Sequence, residues 1–403
     1  MENFKEGWEK VKLDEIINIT MGQSPKSEFY NDESEGLPFL QGNRTFGDRF
    51  PYFNTFCTNN KKIAKKDDVL MSVRAPVGDL NIVKQDIGIG RGLCAMNLKN
   101  KNSIFLYYLL KYNIVNLINR ETGTIFGSIN KNDILNLEIE LPTCYQQEKI
   151  AFILNNLDEK IENNEKINKN LEQQVNEIFK SWFVKFEPFK ENEFKSSDFG
   201  EIPVEWEIDY LGSNKLSKII SSGIQEFKGS KFYVATANVN EDKIDNVLPI
   251  ISYNNRPSRA NMQPVPKSAW FAKMKDSRKL IMIDEYSKSI LDKYIFSTGF
   301  CGLKCSKDSF YYIWSFLLSD QFDTMKNNLS LGTTMQAINN TNVKKIKLLN
   351  PTNEVLKRFN LIVSPIFEEI YNNSIENKKL TKTRDILLPK LMSGEINVSK
   401  VEI

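Results

Sequence analysis

The chain repeats itself at a fixed distance, and this repeat limits its architecture more than any other feature. Gly123 to Pro142 reads GTIFGSINKNDILNLEIELP, and Gly332 to Pro351 reads GTTMQAINNTNVKKIKLLNP, aligned without a gap at an offset of 209 (332 − 123). The same offset runs on through the polar segment after each copy, pairing Ile153 with Ile362, Leu157 with Ile366, Ile161 with Ile370, Leu171 with Leu380 and Ile178 with Leu387. In the first segment Leu154, Leu157, Ile161, Asn164, Asn168, Leu171, Val175, Ile178 and Trp182 recur at alternating steps of three and four. That is the apolar seam of a coiled coil. The second segment gives Val363, Ile366, Ile370, Asn373, Asn377, Leu380, Arg384, Leu387 and Leu391, the same seam with one basic residue. A chain ordered globule, helix, globule, helix, with halves alike at their edges and different inside, has the form of two readers on one ruler. Such a device suits a split target.

In both seams the two polar positions are asparagine, and both pairs sit at the middle of the run. If the helices pair antiparallel, middle faces middle, so Asn164 and Asn168 meet Asn373 and Asn377. A slip by one heptad would set amides against leucine or isoleucine, at ~1–3 kcal/mol per unsatisfied group. A polar layer of this kind fixes register. The alternative is asparagines facing solvent on loosely paired helices. From Leu154 to Trp182 the seam covers 28 steps (182 − 154), or ~42 Å at ~1.5 Å per residue, a length expected to set the spacing between half-sites.

With 403 residues, the chain has room for two or three domains. Its net charge of +3, from 54 Lys+Arg against 51 Asp+Glu, neither demands nor excludes nucleic acid, because distribution decides that. No apolar run approaches ~20 residues, so no membrane span is expected. MENFKEGWEK lacks the apolar core of a signal peptide. The five cysteines, Cys57, Cys94, Cys144, Cys301 and Cys305, are odd in number and scattered, which reads as reduced thiols in a cytoplasm. The chain has no histidine. That removes the commonest general base, the Ser–His and Cys–His nucleophile pairs and the usual zinc ligand. No G-x-x-x-x-G-K-[ST] phosphate loop occurs, nor an Asn-Pro-Pro-aromatic or Asp-Pro-Pro-aromatic tetrapeptide of the kind that holds an exocyclic amine. Gly88-Ile89-Gly90-Arg91-Gly92 does not open a helix within a βαβ unit, and Cys301-x-x-x-Cys305 lacks a second pair of ligands.

Each half opens on a tryptophan, Trp8 or Trp206, followed by a first strand and a short helix. Asp67 to Arg74, Leu80 to Val83, Tyr233 to Val239 and Lys279 to Asp284 read as strands. Phe105 to Ile118 and Phe310 to Leu318 read as helices whose aromatic stripes are core rather than a stacking platform. Residues 187–205, polar and punctuated by Pro188, Gly200 and Pro203, read as a linker.

Several stretches resemble the specificity subunit of type I restriction–modification systems. Ser181-Trp182-Phe183-Val184-Lys185-Phe186-Glu187-Pro188-Phe189 looks like the SWFVDF-P segment that ends that family's central helix. Gly200 to Trp206 is close to its GEIPxGW opening, and Leu387 to Ile396 to its LLPKLLSGEI ending. Gly123 to Pro142 with Gln146-Gln147-Glu148-Lys149-Ile150 resembles its G-x-x-x-x-x-I-x…P…EQ-x-I block. The chain departs at Val204 and Glu205, at Arg384 in the seam, and at Asn353 to Leu356, a weaker match to Gln-Gln-Glu. The resemblance implies an α+β fold: two α/β target recognition domains separated by two long helices that form an antiparallel coiled coil with a pseudo-twofold internal repeat. The expected boundaries are 1–144 and 206–352 for the recognition domains, 145–186 and 353–396 for the spacer helices, 187–205 for the linker and 397–403 for a tail. It further implies a non-catalytic chain that reads a bipartite, asymmetric site on double-stranded DNA. Two modification subunits would then methylate adenine N6, and two restriction subunits, motor and nuclease, would cleave unmodified DNA. No cofactor is expected in this chain; S-adenosylmethionine, ATP and Mg belong to the partners.

Reading bases needs donors and acceptors at their edges, and affinity needs cations on phosphate. In the first globule Gln23, Ser24 and Lys26 lie on a polar turn resembling the family's G-x-SP-x segment. Gln41, Asn43, Arg44 and Arg49 read as an exposed loop, Arg74 ends a strand, and Arg91 sits between glycines that let backbone approach a partner. Ser128, Asn130 and Lys131 follow in the repeated block. In the second globule Lys228 and Lys231 are placed where the first has its SP turn. Tyr253, Asn255, Arg256 and Arg259 form one loop, and Lys273, Lys275 and Arg278 a basic cluster beside Trp270 and Phe271. Thr333, Thr334, Gln336 and Asn339 repeat the Gly123 block. For each lone arginine the alternative is a surface or structural ion pair. Two rival functions stand beside this one. A fused restriction–methyltransferase enzyme lacks its methyl-donor and nuclease motifs here. A coiled-coil scaffold that binds only protein, or an inactivated relative, would never prefer one DNA sequence.

Overall fold

The structure is a computed structural model describing residues 7–120, 127–245, 247–284 and 287–398, so residues 123–126 of the repeated block and 399–403 of the tail lie outside the described residues. The chain divides into two compact units, Met1–Asn164 with Ser374–Ile403, and Glu165–Asn373.

The first unit holds a four-stranded antiparallel sheet in the order Ile17–Met21, Leu93–Leu98, Val69–Ser72, Leu80–Ile82. Its second sheet runs Tyr30–Asn31, Phe56–Cys57, Leu37–Leu40, Ile87–Ile89, Ile63–Ala64, with Leu37–Leu40 and Ile87–Ile89 parallel. Glu9–Lys12 pairs with Glu138–Leu141. The run DDVLMSVR is apolar throughout its middle because successive strand side chains point to opposite faces and both faces are covered. Val69 and Met71 enter the core that also holds Phe105, Tyr108 and Leu109 of helix Ser103–Ile118, whereas Leu70 joins Leu40, Ile87 and Ile89 in another. That helix starts where the Asn102 side chain accepts from Phe105 N at 3.0 Å.

The second unit repeats this plan. Ser217–Ile219, Phe300–Cys305, Ser268–Ala272 and Leu280–Ile283 form one sheet. Ile250–Ile251, Lys231–Val234, Tyr294–Ser297 and Ala260–Met262 form the other, again with its inner pair parallel. The alternation recurs, with Ala269 and Phe271 in one core and Trp270 and Ala272 in another. Two expectations are corrected. No helix stands at 211–216. Gly212 there turns at φ +75, and the Asn214 side chain accepts from Leu216 N and Ser217 N at 2.9 Å, so a side-chain turn replaces the helical one. The 187–205 segment is not an open spacer. It carries the hairpin Phe194–Ser197 with Gly200–Pro203, and Phe189 and Ile202 join Trp206 in the core of the unit.

The long helices are Cys144–Phe183 and Asn353–Met392, 40 residues each, displaced by 209 at both ends (353 − 144 and 392 − 183). Each opens on a threonine cap at the same place of the repeat. Thr143 Oγ1 accepts from Gln146 N, and Thr352 Oγ1 accepts from Val355 N, both at 3.4 Å. In the first unit Asn164 Nδ2 donates to Asn377 Oδ1 at 2.9 Å, and Asn377 Nδ2 donates to the Ile161 carbonyl at 3.3 Å. In the second, Asn373 Nδ2 donates to Asn168 Oδ1 at 2.8 Å, and Asn168 Nδ2 donates to the Ile370 carbonyl at 3.3 Å. Shifting the first set by 209 turns it into the second, so each unit holds the same amide pair between antiparallel segments.

One heptad further along the first unit the symmetry breaks. Arg384 Nη1 donates to Asp158 Oδ1 at 2.6 Å, and the Tyr108 hydroxyl donates to Asp158 Oδ2. Burial, reinforced by the Asp158 carboxylate, pushes the Tyr108 phenol above its ordinary range. The repeat puts Phe367 and Val175 at these positions in the second unit, both buried in its core, with Tyr311 stacked on Phe367 at 4.9 Å. A polar layer in one unit is thus an apolar layer in the other.

Candidate nucleic-acid interface

In the first unit three loops converge. The SP turn follows Ile17–Met21, the Gln41 loop follows Leu37–Leu40, and the glycine-rich turn follows Ile87–Ile89. Gln41 Nε2 donates to Ser24 Oγ at 2.8 Å, the Ser24 hydroxyl returns a bond to Gln41 Oε1 at 3.0 Å, and Arg91 N donates to Ser24 Oγ at 3.2 Å. Gly22 N donates to the Leu93 carbonyl at 2.9 Å, and Gly92 N to the Gln41 carbonyl at 3.1 Å. The glycines therefore let the loops approach one another, and the Arg91 side chain is left exposed beside them. Tyr30, stacked on Phe39 at 4.9 Å, supports the turn by donating its hydroxyl to the Pro25 carbonyl at 3.1 Å. Gln23 is exposed, and Lys26 is exposed with a surface ion pair to Glu28 at 3.7 Å. Asn43 bonds Asp79, and Arg44 is exposed on the adjacent 3-10 turn. Arg74 is exposed and backbone-bridged to Ser128.

Arg49 is a correction. It is buried, ion-paired to Glu162 at 3.1 Å, bonded to Asn155 and set against the Phe50 ring, so it ties its loop to the long helix. Asn130 and Asn339 are corrected together. Each side chain caps a short helix, Asn130 accepting from Asn132 N and Asp133 N and Asn339 from Asn342 N, so the oxygens expected to read bases are occupied. Lys131 follows as the exposed first residue of its helix.

In the second unit a chain of cations and rings forms. Lys231 Nζ lies 5.1 Å from the Phe227 ring centroid, Phe227 meets Tyr253 edge-on at 5.8 Å, and the Arg256 guanidinium covers the Tyr253 ring at 4.1 Å. Arg256 Nη1 also donates to the Tyr253 carbonyl, so the guanidinium plane is held over the ring. Lys228, Asn255 and Arg259 are exposed around it. Lys273 and Lys275 flank the second copy of the repeated block. Ile338 N donates to the Lys273 carbonyl, and Lys275 N to the Gln336 carbonyl, both at 2.9 Å, with Thr333 and Thr334 exposed beyond. Arg278 does not join that basic cluster, because Asp320 and Asp323 hold it, the latter at 3.3 Å, and Trp270 and Phe271 are buried core.

The strand frame also corrects one alignment. The counterpart of the SP turn is the segment after Ser217–Ile219, Ser221 to Gln225, whereas Lys228 to Lys231 leads into the strand equivalent to Leu37–Leu40. The same frame reveals two exposed residues that sequence reasoning missed. The loop between Phe56–Cys57 and Ile63–Ala64 is the equivalent of the Arg256 loop, and it carries Lys61 and Lys62. A signal was there: Asn59-Asn60-Lys61 and Asn254-Asn255-Arg256 are both Asn-Asn-cation.

These exposed cations and amides on loops held by rigid sheets have the composition of a surface that meets phosphate and base edges. A family model described as the type I restriction modification DNA specificity domain matches residues 5–173. The type I restriction enzyme MjaIX specificity subunit of Methanocaldococcus jannaschii is 26% identical over 98% of this chain and 94% of its own length. The HindI specificity subunit of Haemophilus influenzae is 27% identical over 83% of this chain and 88% of its own. A crystal structure of the type I restriction–modification system S subunit from M. genitalium shares the fold, with a TM-score of 0.58 at 17% identity, covering 95% of this chain and 96% of that one. No helix among the described residues is long and apolar enough to cross a membrane. The chain thus has the fold of the M. genitalium S subunit, and along most of its length its sequence is similar to specificity subunits of type I restriction enzymes.

Proposed function

We propose that this chain reads a bipartite, asymmetric site on double-stranded DNA, one half-site per unit, through recognition domains at 1–144 and 206–352. It directs two modification subunits to methylate adenine N6 and two restriction subunits to cleave unmodified DNA, and does no chemistry itself. S-adenosylmethionine, ATP and Mg are held by those partners. One observation carries the reading: the same strand frame presents exposed Lys61 and Lys62 on one loop of the first unit and Tyr253 with Arg256 on the equivalent loop of the second. A shared scaffold with different donors at its loops reads different sequences.

The test is methylome sequencing of a methylation-deficient host that expresses this chain with the methyltransferase encoded beside it. N6-methyladenine at one two-part motif is expected, and exchanging residues 1–145 for those of a relative is expected to change only one part. A soluble, assembled pair that methylates no motif would leave a protein-binding scaffold as the better account. Within the second half-site, Arg256→Lys is expected to relax one base position by ~1–3 kcal/mol, because an ammonium cannot reproduce a bidentate contact to guanine. Equal weakening on every sequence, with a shallower salt dependence, would make Arg256 a phosphate contact instead.

A further inference from the structure

Leu331 and Ala337 exchange two backbone hydrogen bonds of 3.0 Å and close a five-residue loop between them. Its stem is anchored on both sides. Asn342 Nδ2 donates to the Leu329 carbonyl at 2.9 Å, and Lys275 N and Ile338 N bind Gln336 and Lys273 across from it. Inside the loop Gly332 stands at φ +124, where a Cβ would lie 2.7 Å from the Met335 carbonyl oxygen. The fold of the loop therefore needs glycine there. Met335 is 77% exposed, and Leu331, across the loop, is 60% exposed. The pinned loop thus sets two apolar residues, Leu331 and Met335, in water beside the segment that carries Lys273 and Lys275. At the offset of 209 the first half of the sequence carries Phe126, which lies outside the described residues, so both halves spend this position on a large apolar residue.

We propose that Met335 is a wedge that enters the base stack of the half-site read by the second unit. Apolar side chains inserted between base steps unstack them and kink the duplex. An unbranched thioether is slim and polarisable enough to lie between base faces. Lys273 and Lys275 at the stem supply the phosphate contacts that bring the loop down onto the duplex, and Thr333, Thr334 and Gln336 supply polar groups around the entry point. The wedge rests on the DNA-reading function proposed above. It also gives the second unit a means of sensing how readily a base step opens, which is sequence information without a hydrogen bond.

The experiment uses the full-length chain assembled with its methyltransferase, on duplexes carrying the methylated motif. 2-Aminopurine replaces one base at a time across the half-site, leaving the methylatable adenine unsubstituted. A several-fold fluorescence rise is expected at one position. Met335→Ala is expected to remove more than half of that rise and to weaken motif binding about tenfold, the scale of one apolar side chain returned to water. Met335→Phe is expected to keep both. Because the side chain is exposed, both variants are expected to melt with the wild type. A rise that Met335→Ala leaves intact overturns the wedge, as does specific binding with no rise in the wild type, and the DNA-reading function survives either result. Wild-type complex that binds all sequences alike overturns both. If Met335→Ala impairs assembly with the methyltransferase and not the fluorescence, the loop is a protein contact and the wedge is wrong.

Discussion

Arg384→Ala is expected to lower the stability of this protein by ~3–5 kcal/mol in urea unfolding, the cost of leaving a buried charge without its partner. Asp158 has a side chain only 7% exposed and lies 2.6 Å from the Arg384 guanidinium. Its other partner in this layer is the Tyr108 hydroxyl. Without Arg384, the carboxylate keeps its desolvation and loses the cation that offsets it. The repeat supplies a control no isolated ion pair offers. Phe367 and Val175 fill the same two positions in the second unit. Replacing the layer as a set, with Tyr108→Phe, Asp158→Phe and Arg384→Val, removes both charges and leaves no hydroxyl stranded. That triple variant is expected to recover most of the loss, since apolar groups of similar total volume replace buried ion pairs without penalty in other proteins. A triple variant as unstable as Arg384→Ala would show that the two layers are not interchangeable and that the shape of the first unit demands its charges.

Gly22→Ala is expected to abolish discrimination at one half-site and leave the other intact. A Cβ at Gly22 would stand 2.1 Å from the Gly90 carbonyl oxygen and 2.8 Å from that of Leu93, both backbone atoms with no rotamer to yield. The SP turn must then lift away from the glycine-rich turn, at ~1–3 kcal/mol of overpacking. The 3.2 Å bond from Arg91 N to Ser24 Oγ spans that junction, so the loops holding Ser24, Gln41 and Arg91 lose their common geometry. Methylome sequencing is expected to show a motif degenerate in its first part and unchanged in its second. An unchanged motif would mean that the convergence of the three loops is not what reads the first half-site.

The parts of this fold legible in the sequence are those set by short-range periodicity. The heptad steps gave both helices and the asparagines at their centre, because each seam residue depends only on neighbours three and four positions away. The strand run at Val69 is legible for a similar reason, as two buried faces put apolar residues at the successive positions Val69, Leu70 and Met71. Loop contacts were not legible, since they depend on residues brought from afar. Arg49 looks like any loop arginine until Glu162 is found 3.1 Å away. Arg278 looked like part of a basic cluster until the helix Asp320–Asn328 delivered two carboxylates to it. Asn130 and Asn339 were misjudged for a nearer reason. Both sit three residues before an amide they cap, a helix-start signal that is local to the sequence. Lys61 and Lys62 share an Asn-Asn-cation run with Arg256, but the strand order is what makes the two loops equivalent.

The division of the chain into units has a consequence for its birth on the ribosome. The second unit is one uninterrupted stretch, Glu165–Asn373, whereas the first is made of Met1–Asn164 and Ser374–Ile403. Leu388, Leu391, Met392 and Val398 sit in the same core as Ile150 and Leu154, and Asn164 waits for Asn377. During synthesis the second unit therefore has all its residues while the first still exposes the apolar flank of its helix. The half that emerges first is completed last, and a nonsense codon just after Asn373 would spare the later-made half and leave the earlier one unfinished.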